Sequence, residues 1–235
     1  RERCSVAQQT NKGQTPVTPS RYSTMNPKRT ANAPLRILLS DDHSVVRIGF
    51  KTMAKEWGDV EVVGEAETGE QTVEQFIKLA PDIVVLDISI PGIGGMETIH
   101  KIISREPKAK VLILSFHENA VLADRALRDG AYGYISKRSS SEMFHNALQQ
   151  IANGKKYIDP EIAQEIALQQ VTGGSKPFMN LTEREFTVFL LLAEGKTTAQ
   201  VSKTLHLSPN TINTHYHHIK SKLGVSSKAE MTRLA

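Results

Sequence analysis

"PDIVVLDISIPG" occupies Pro81 to Gly92. Four apolar residues, Ile83 to Leu86, run straight into Asp87, and Pro91 and Gly92 then turn the chain. A continuous Val/Ile/Leu run of this kind reads as a strand buried on both faces, as in a parallel sheet covered by helices. A carboxylate at the end of so dry a strand is costly unless something pairs with it. Asp87 is therefore either a solvated strand-end residue or a group that does chemistry there.

The same unit recurs on both sides of this stretch. "LRILLSDD", "VEVVGEA", "DIVVLD", "KVLILS" and "YGYIS" read as strands. "VVRIGFKTMAKEW", "GEQTVEQFIKLA", "GMETIHKIISRE", "ENAVLADRALRDG" and "SSEMFHNALQQIANG" come after them with helical spacing. Alternation of this kind predicts an α/β fold with helices on both faces of a parallel sheet. Right-handed crossovers leave few arrangements, and the expected one is flavodoxin-like and doubly wound, with five parallel strands in the order 2-1-3-4-5.

The 235 residues divide by composition. Residues 1–33 are polar, lack apolar periodicity and are expected to be a disordered tail. Met25 leaves open where the natural start lies. Residues 34–153 hold the α/β pattern. Residues 154–180 read as a linker, with a helix "DPEIAQEIALQQ" capped by Asp159 and started by Pro160, then a hinge "TGGSKP". Residues 181–235 read as a small all-α domain. The tail carries 6 basic and 1 acidic side chains, residues 34–154 carry 13 and 17, and residues 155–235 carry 10 and 7. An acidic body joined to a mildly basic end fits two jobs, the second with a polyanion. The single cysteine, Cys4, excludes an intrachain disulfide and a cysteine-based zinc cluster. No apolar run approaches a membrane span, and a cytoplasmic protein with no membrane partner is expected.

In such a sheet, ligands bind beyond the carboxyl ends of the strands. Asp41 and Asp42 close the first strand, Asp87 the third and Ser115 the fourth, while Lys137 comes just after the fifth. The first and third strands are expected neighbours, so the three carboxylates should converge. Unpaired, they would push at least one pKa up. A hard divalent cation with oxygen ligands relieves the repulsion, and Mg²⁺ fits because it retains waters and room for a phosphoryl group. Asp87 is then placed as a nucleophile toward a phosphoryl donor, with Lys137 and Ser115 facing the transferred oxygens. Taken singly, these residues have plainer readings. Asp41 and Asp42 can cap the helix that begins near Ser44, Lys137 can be a solvated lysine, and Ser115 an ordinary strand-end residue. Their shared position at one rim favours the joint reading.

The last segment has its own logic. Thr182 and Glu185 have capping-box spacing. "TTAQVSKTLHL" reads as a short helix, Ser208 and Pro209 restart the chain, and "TINTHYHHIKSKLG" continues as a polar helix stopped by Gly224. Two helices joined by a tight turn fit helix-turn-helix reading of DNA. A protein-binding helical bundle fits the pattern too.

Residues 35–153 resemble a response-regulator receiver domain through "LLSDDH", "IVVLDISIPGIGG", "VLILSFH" and "YGYISK". The resemblance implies Asp87 as phospho-acceptor. It implies Asp41, Asp42, Asp87 and the backbone carbonyl of Ser89 as Mg²⁺ ligands. Ser115 and Lys137 would bind the phosphoryl group, and Tyr134 would be the aromatic switch. Arg138 departs from the pattern, since many receivers carry proline there. Residues 181–228 resemble a LuxR-type helix-turn-helix through "LTEREF", "LLAEGKTTAQVSKTL", "SPNTINTH" and "IKSKLGV". Together the two make the chain similar to NarL/FixJ response regulators, and "TINTHY" resembles the GacA/UvrY subgroup. This likeness implies a sensor histidine kinase or small phosphodonor acting on Asp87, promoter DNA as partner, and a homodimer on phosphorylation or DNA binding. The helix near Lys228 to Leu234 would supply the dimer contact.

The recognition helix departs from the family in carrying no Lys or Arg before Lys220, with Asn210 where a basic residue is frequent. The DNA contacts expected are Thr211, Asn213, Thr214, His217 and Lys220. Asn can bond adenine bidentately and Thr can touch a thymine methyl. Charged-histidine contacts would make DNA affinity fall as pH rises from ~6 to ~8. A zinc site at His215, His217 and His218 lacks a completing thiol or carboxylate. Two further functions remain open on the residues alone. One is a phosphatase using aspartyl-phosphate chemistry, which needs another acid or base, with His43 and His117 as candidates. The other is a phosphorylation-dependent protein-interaction module without DNA.

Overall fold

The computed structural model describes residues 33–116, 120–171, 180–205 and 207–234. The tail up to residue 32, the "TGGSKP" hinge and His117 lie outside the described residues. Five strand–helix units occupy the first half. They are β1 (Leu35–Ser40) and α1 (Ser44–Trp57), β2 (Val60–Ala66) and α2 (Gly69–Leu79), β3 (Ile83–Asp87) and α3 (Gly95–Arg105), β4 (Val111–Ser115) and α4 (Ala120–Arg128), then β5 (Gly133–Ser136) and α5 (Ser141–Ala152). All strand pairs are parallel, and the order β2-β1-β3-β4-β5 is the expected one.

A sixth strand, β6 (Tyr157–Ile158), extends the sheet from within the segment read as linker. Two residues are too few for strand periodicity to show in sequence. Gly133 makes the pairing feasible, because a Cβ there would lie 2.7 Å from the Tyr157 carbonyl oxygen. Helix α6 (Pro160–Val171) comes next, and Asp159 caps it by accepting from the Glu161 backbone N–H at 3.3 Å.

Residues of β3 and β4 are buried throughout, as the apolar runs require. Alternation sends Ile83, Val85, Leu112, Leu114 and Ile135 to one face, against Phe50 of α1 and Phe144 of α5. Val84, Leu86, Ile113 and Tyr134 go to the other, against Phe76 of α2 and Met96 and Ile99 of α3.

The second domain consists of α7 (Glu183–Ala193), α8 (Thr198–Leu205), α9 (Pro209–Leu223) and α10 (Lys228–Leu234). Thr182 and Glu185 form the reciprocal capping box, and Ser208 caps α9 by accepting from the Thr211 N–H. Gly224 stops α9 with φ +66, a left-handed conformation that costs a glycine least. Phe186, Phe189, Val201, Leu205, Ile212, Ile219 and Met231 fill the core of this domain, and their cluster is continuous with the α3–α4 face of the sheet.

Candidate functional site

Strand register builds the rim. Ser40 pairs with Leu86, so Asp41 and Asp87, each one residue further, stand level on neighbouring strands. Asp87 pairs with Leu114, which puts Ser115 one step beyond it. Ser115 pairs with Ser136, so Lys137 leaves β5 at the same edge and donates its backbone N–H to the Ser115 carbonyl at 2.7 Å. The pocket is thus a consequence of a parallel sheet whose strands end together.

Asp41, Asp87 and Ser115 are buried. Asp42 is partly exposed, at 39% of its side chain. The Lys137 ammonium bridges the buried pair, 2.6 Å from Asp41 Oδ2 and 2.9 Å from Asp87 Oδ2. Its side chain is only 3% exposed, so the plainer reading of a solvated lysine fails. Both Oδ2 atoms are buried, and the Lys137 ammonium is the charge they share. Burial pushes the Asp87 carboxyl above the ordinary range, Lys137 pulls it back and Asp41 pushes it further up. The other Asp87 oxygen accepts the Ser89 backbone N–H at 3.1 Å.

Neither Asp41 nor Asp42 caps α1. The N-cap position is His43, and no side chain makes a cap bond there. Asp41 Oδ1 instead accepts the His43 backbone N–H at 2.8 Å, turning the chain so that Asp42 joins the rim. His43 Nδ1 lies 3.2 Å from Asp41 Oδ1 and 2.9 Å from Asp42 Oδ1. Ligand atoms of Asp41, Asp42, His43 and Asp87 all lie within 4.8 Å of one another. Clustered carboxylate oxygens that a single ammonium neutralises only in part fit a hard divalent cation.

Three residues at the site were not singled out from sequence. Arg47 is buried and donates Nη1 to the Asp41 carbonyl at 2.6 Å and Nε to Glu65 at 3.0 Å, and Nη2 reaches Glu67. It anchors the β1–α1 turn to the end of β2. The legible signal was spacing: Arg47, Phe50 and Ala54 share the buried face of α1, so a cation stood on an apolar stripe. Phe116 places its ring 4.9 Å from Lys137 Nζ. Glu194 of α7 approaches Ser89 from the other domain, which no local pattern announces. Arg138 leaves the lysine in place and donates its backbone N–H to Ser136 Oγ at 3.1 Å. Tyr134 is fully buried in β5.

On α9, Asn210, Asn213, Thr214 and His217 are exposed along one stripe. Thr211 is engaged with the Ser208 cap, hydroxyl to hydroxyl at 2.8 Å, and Thr214 returns its hydroxyl to the Asn210 carbonyl at 3.0 Å. Lys220 Nζ lies 5.6 Å from the centre of the Tyr216 ring. Lys222 turns inward to Glu185 at 2.6 Å. His215 is half-buried; burial pulls its imidazole below the usual range, and Nδ1 has no hydrogen-bond partner. His215, His217 and His218 do not assemble as a metal-competent group among the described residues.

A doubly wound α/β domain with an acidic rim, joined to a helix-turn-helix domain, defines a two-domain regulator. Residues 37–149 match the response regulator receiver domain, and residues 179–235 match the bacterial regulatory proteins of the luxR family. Response regulator UvrY of Escherichia coli is 35% identical over 203 residues, covering 86% of this chain and 93% of UvrY. Response regulator GacA of Pseudomonas aeruginosa is 36% identical, covering 86% of this chain and 95% of GacA. The chain belongs to this family: it is a two-component response regulator with a receiver domain and a LuxR-type DNA-binding domain. A LuxR-family regulator from Aurantimonas superposes with TM-score 0.57 at 34% identity, over 59% of this chain and 99% of that one. RcsB of Salmonella enterica serovar Typhimurium, bound to promoter DNA with the phosphomimetic BeF₃⁻, shares the fold with TM-score 0.64 at 23% identity, over 85% of this chain and 96% of RcsB.

Proposed function

We propose that Asp87 is the phospho-acceptor and that its phosphorylation drives binding to promoter DNA. The observation that carries this is the Lys137 ammonium between two buried carboxylates of adjacent strands. Asp87 Oδ attacks the phosphorus of a sensor kinase's phosphohistidine or of a small acyl phosphate. A P–O bond to Asp87 forms, and the bond to the donor nitrogen or oxygen breaks. Asp41, Asp42, Asp87 and the Ser89 carbonyl would hold Mg²⁺, which when bound offsets charge on the phosphoryl oxygens. Lys137 shifts from pairing Asp87 to pairing a phosphoryl oxygen. The Ser115 hydroxyl donates to another, and Tyr134, two strand residues before Ser136, responds to the vacated space.

Asn213, Thr214 and His217 lie on the exposed stripe that reads base edges, with Lys220 toward phosphate and Thr211 ordering the start of the helix. A module of this size reads few base pairs, so the working form is a homodimer on paired half-sites, with α10 as the contact. The protein is a switch rather than a turnover enzyme, a reading supported by its family. No described helix is long and apolar enough to cross a membrane; separately, action on promoters supports a cytoplasmic location. Asp87→Asn should abolish hydroxylamine-sensitive phosphate incorporation from acetyl phosphate; persistent labelling of that variant would refute the assignment.

A further inference from the structure

Lys137 stands in a short loop between Ser136, the last residue of β5, and Ser140, the N-cap of α5. No proline stiffens this loop. Its backbone is held instead by hydrogen bonds. The Lys137 N–H donates to the Ser115 carbonyl at 2.7 Å, the Arg138 N–H to Ser136 Oγ at 3.1 Å, and the Ser139 N–H to the Ser136 carbonyl at 3.1 Å. A cleft of about 370 Å³ opens between the loop and the start of α6, so close packing does not fix their separation. One side-chain bond crosses it: the Ser139 hydroxyl donates to Asp159 Oδ2 at 2.9 Å.

Asp159 is itself a fixed point. It is a carboxylate only 7% exposed. Its backbone N–H donates to the Tyr134 carbonyl at 2.9 Å, continuing the β5–β6 pairing. Its Oδ1 caps α6, and two residues later Ile162 is buried in the same cluster as Leu122 and Ala126 of α4. A reacting group is held accurately only when neighbouring hydrogen bonds lock the segment that carries it. We propose that Asp159 is a positioning residue for Lys137: through Ser139, the carboxylate that starts the linker helix fixes the loop from which the ammonium reaches the phosphoryl group. The inference rests on the reading of Asp87 as phospho-acceptor and gives the linker a part in the chemistry of that site. The 136–140 loop is then tied at both ends, to the sheet through Ser115 and to the linker through Ser139.

The test uses the full chain, with BeF₃⁻ in the presence of Mg²⁺ standing in for the phosphoryl group. BeF₃⁻ affinity is read by fluorine NMR, Mg²⁺ affinity by Trp57 fluorescence and stability by urea unfolding. Ser139→Ala should bind BeF₃⁻ about 5-fold more weakly, the fold-change of one ordinary hydrogen bond, with Mg²⁺ affinity unreduced. Asp159→Ser keeps a good N-cap for α6 but has one oxygen and a shorter reach. It should lose BeF₃⁻ affinity to the same degree at near wild-type stability. Asp159→Asn can cap with Oδ1 and donate Nδ2 to the Ser139 hydroxyl, so it should bind as the wild type does. Ser139→Ala combined with Asp159→Ser should be no weaker than either alone, because both remove one tie. A carboxylate that served only to cap α6 would give a different order, with the Ser and Asn variants both like wild type. That order would overturn the inference. So would Mg²⁺ affinity falling in step with BeF₃⁻ affinity, the mark of a rim loosened as a whole. Failure of the wild type to bind BeF₃⁻ at all would instead overturn the Asp87 reading, and the inference with it.

Discussion

Lys137 Nζ lies 2.9 Å from Asp87 Oδ2, and it reaches that position from the end of β5, two strands away from β3. The ammonium pairs both carboxylates at once. In the proposed reading it does so until a phosphoryl oxygen competes for it, and Asp41, bridged by the same ammonium at 2.6 Å, keeps a negative charge beside Asp87 that a cation would relieve.

Removing the Asp87 charge should stabilise the resting protein. Burial raises the Asp87 pKa above the ordinary aspartate value of 3.8. The stability this group contributes is full below pH 3.8, where it is protonated folded or unfolded, and is lost as pH rises through the raised folded value. Asp87→Asn is therefore expected to gain stability over wild type as pH rises to neutrality. At pH 7 without Mg²⁺ the gain should be about 1 kcal/mol, or roughly 4 °C in Tm. Thermal melts at pH 4 and pH 7 check both sign and pH dependence.

Arg47→Ala should loosen the Asp41 turn. It removes the bonds to the Asp41 carbonyl and Glu65 and leaves Glu65 and Glu67 close together. The glutamates are partly solvated, so the expected loss is about 1–3 kcal/mol rather than that of a fully buried pair. Mg²⁺ affinity should fall with it, measured by titration of Trp57 fluorescence alongside urea unfolding.

The capping box of α7 should be sensitive to acid. Burial alone would raise the Glu185 pKa, but hydrogen bonds from Lys222 and Thr182 outweigh it and hold the carboxyl below its usual range. Its contribution is present above the ordinary value of 4.5 and is lost as pH falls through the depressed folded value. Glu185→Ala should cost the helical domain about 1 kcal/mol at pH 7 and nearly nothing at acid pH. Chemical denaturation at the two pH values separates these outcomes.

The exposed stripe of α9 predicts two kinds of DNA defect. Asn213→Ala should cost ~1–3 kcal/mol at the preferred site and relax the choice of base there. Lys220→Ala should weaken all sequences about equally and reduce the salt slope by about 1. Binding to selected and scrambled duplexes across a salt series tells them apart.

The sheet was legible because its strands are dry. Runs such as Val84–Leu86 leave no alternative to burial on both faces, and alternation with helices then fixes the order. The rim was legible for the same reason: Asp41, Asp87, Ser115 and Lys137 all fall where an apolar run stops. Strand β6 was not, because two residues show no period and its pairing depends on the absent side chain of Gly133. Arg47 was overlooked because a charge on a helix usually faces water, and its partners on β2 and just beyond it lie 18 and 20 residues away. The grip of Arg184 and Glu194 on the Ser89–Gly94 loop spans about a hundred residues of sequence, and no local spacing encodes it.

The central claim is that phosphorylation of Asp87 controls DNA binding. The most direct test measures affinity for duplexes selected from a random pool, with Mg²⁺ and with or without acetyl phosphate, in wild type and Asp87→Asn. The expected result is tighter binding on phosphorylation in the wild type, by about 10-fold or some 1.4 kcal/mol, and no change in the variant. Equal affinity in the wild type with and without acetyl phosphate, while Asp87 is shown to carry the label, would contradict the account.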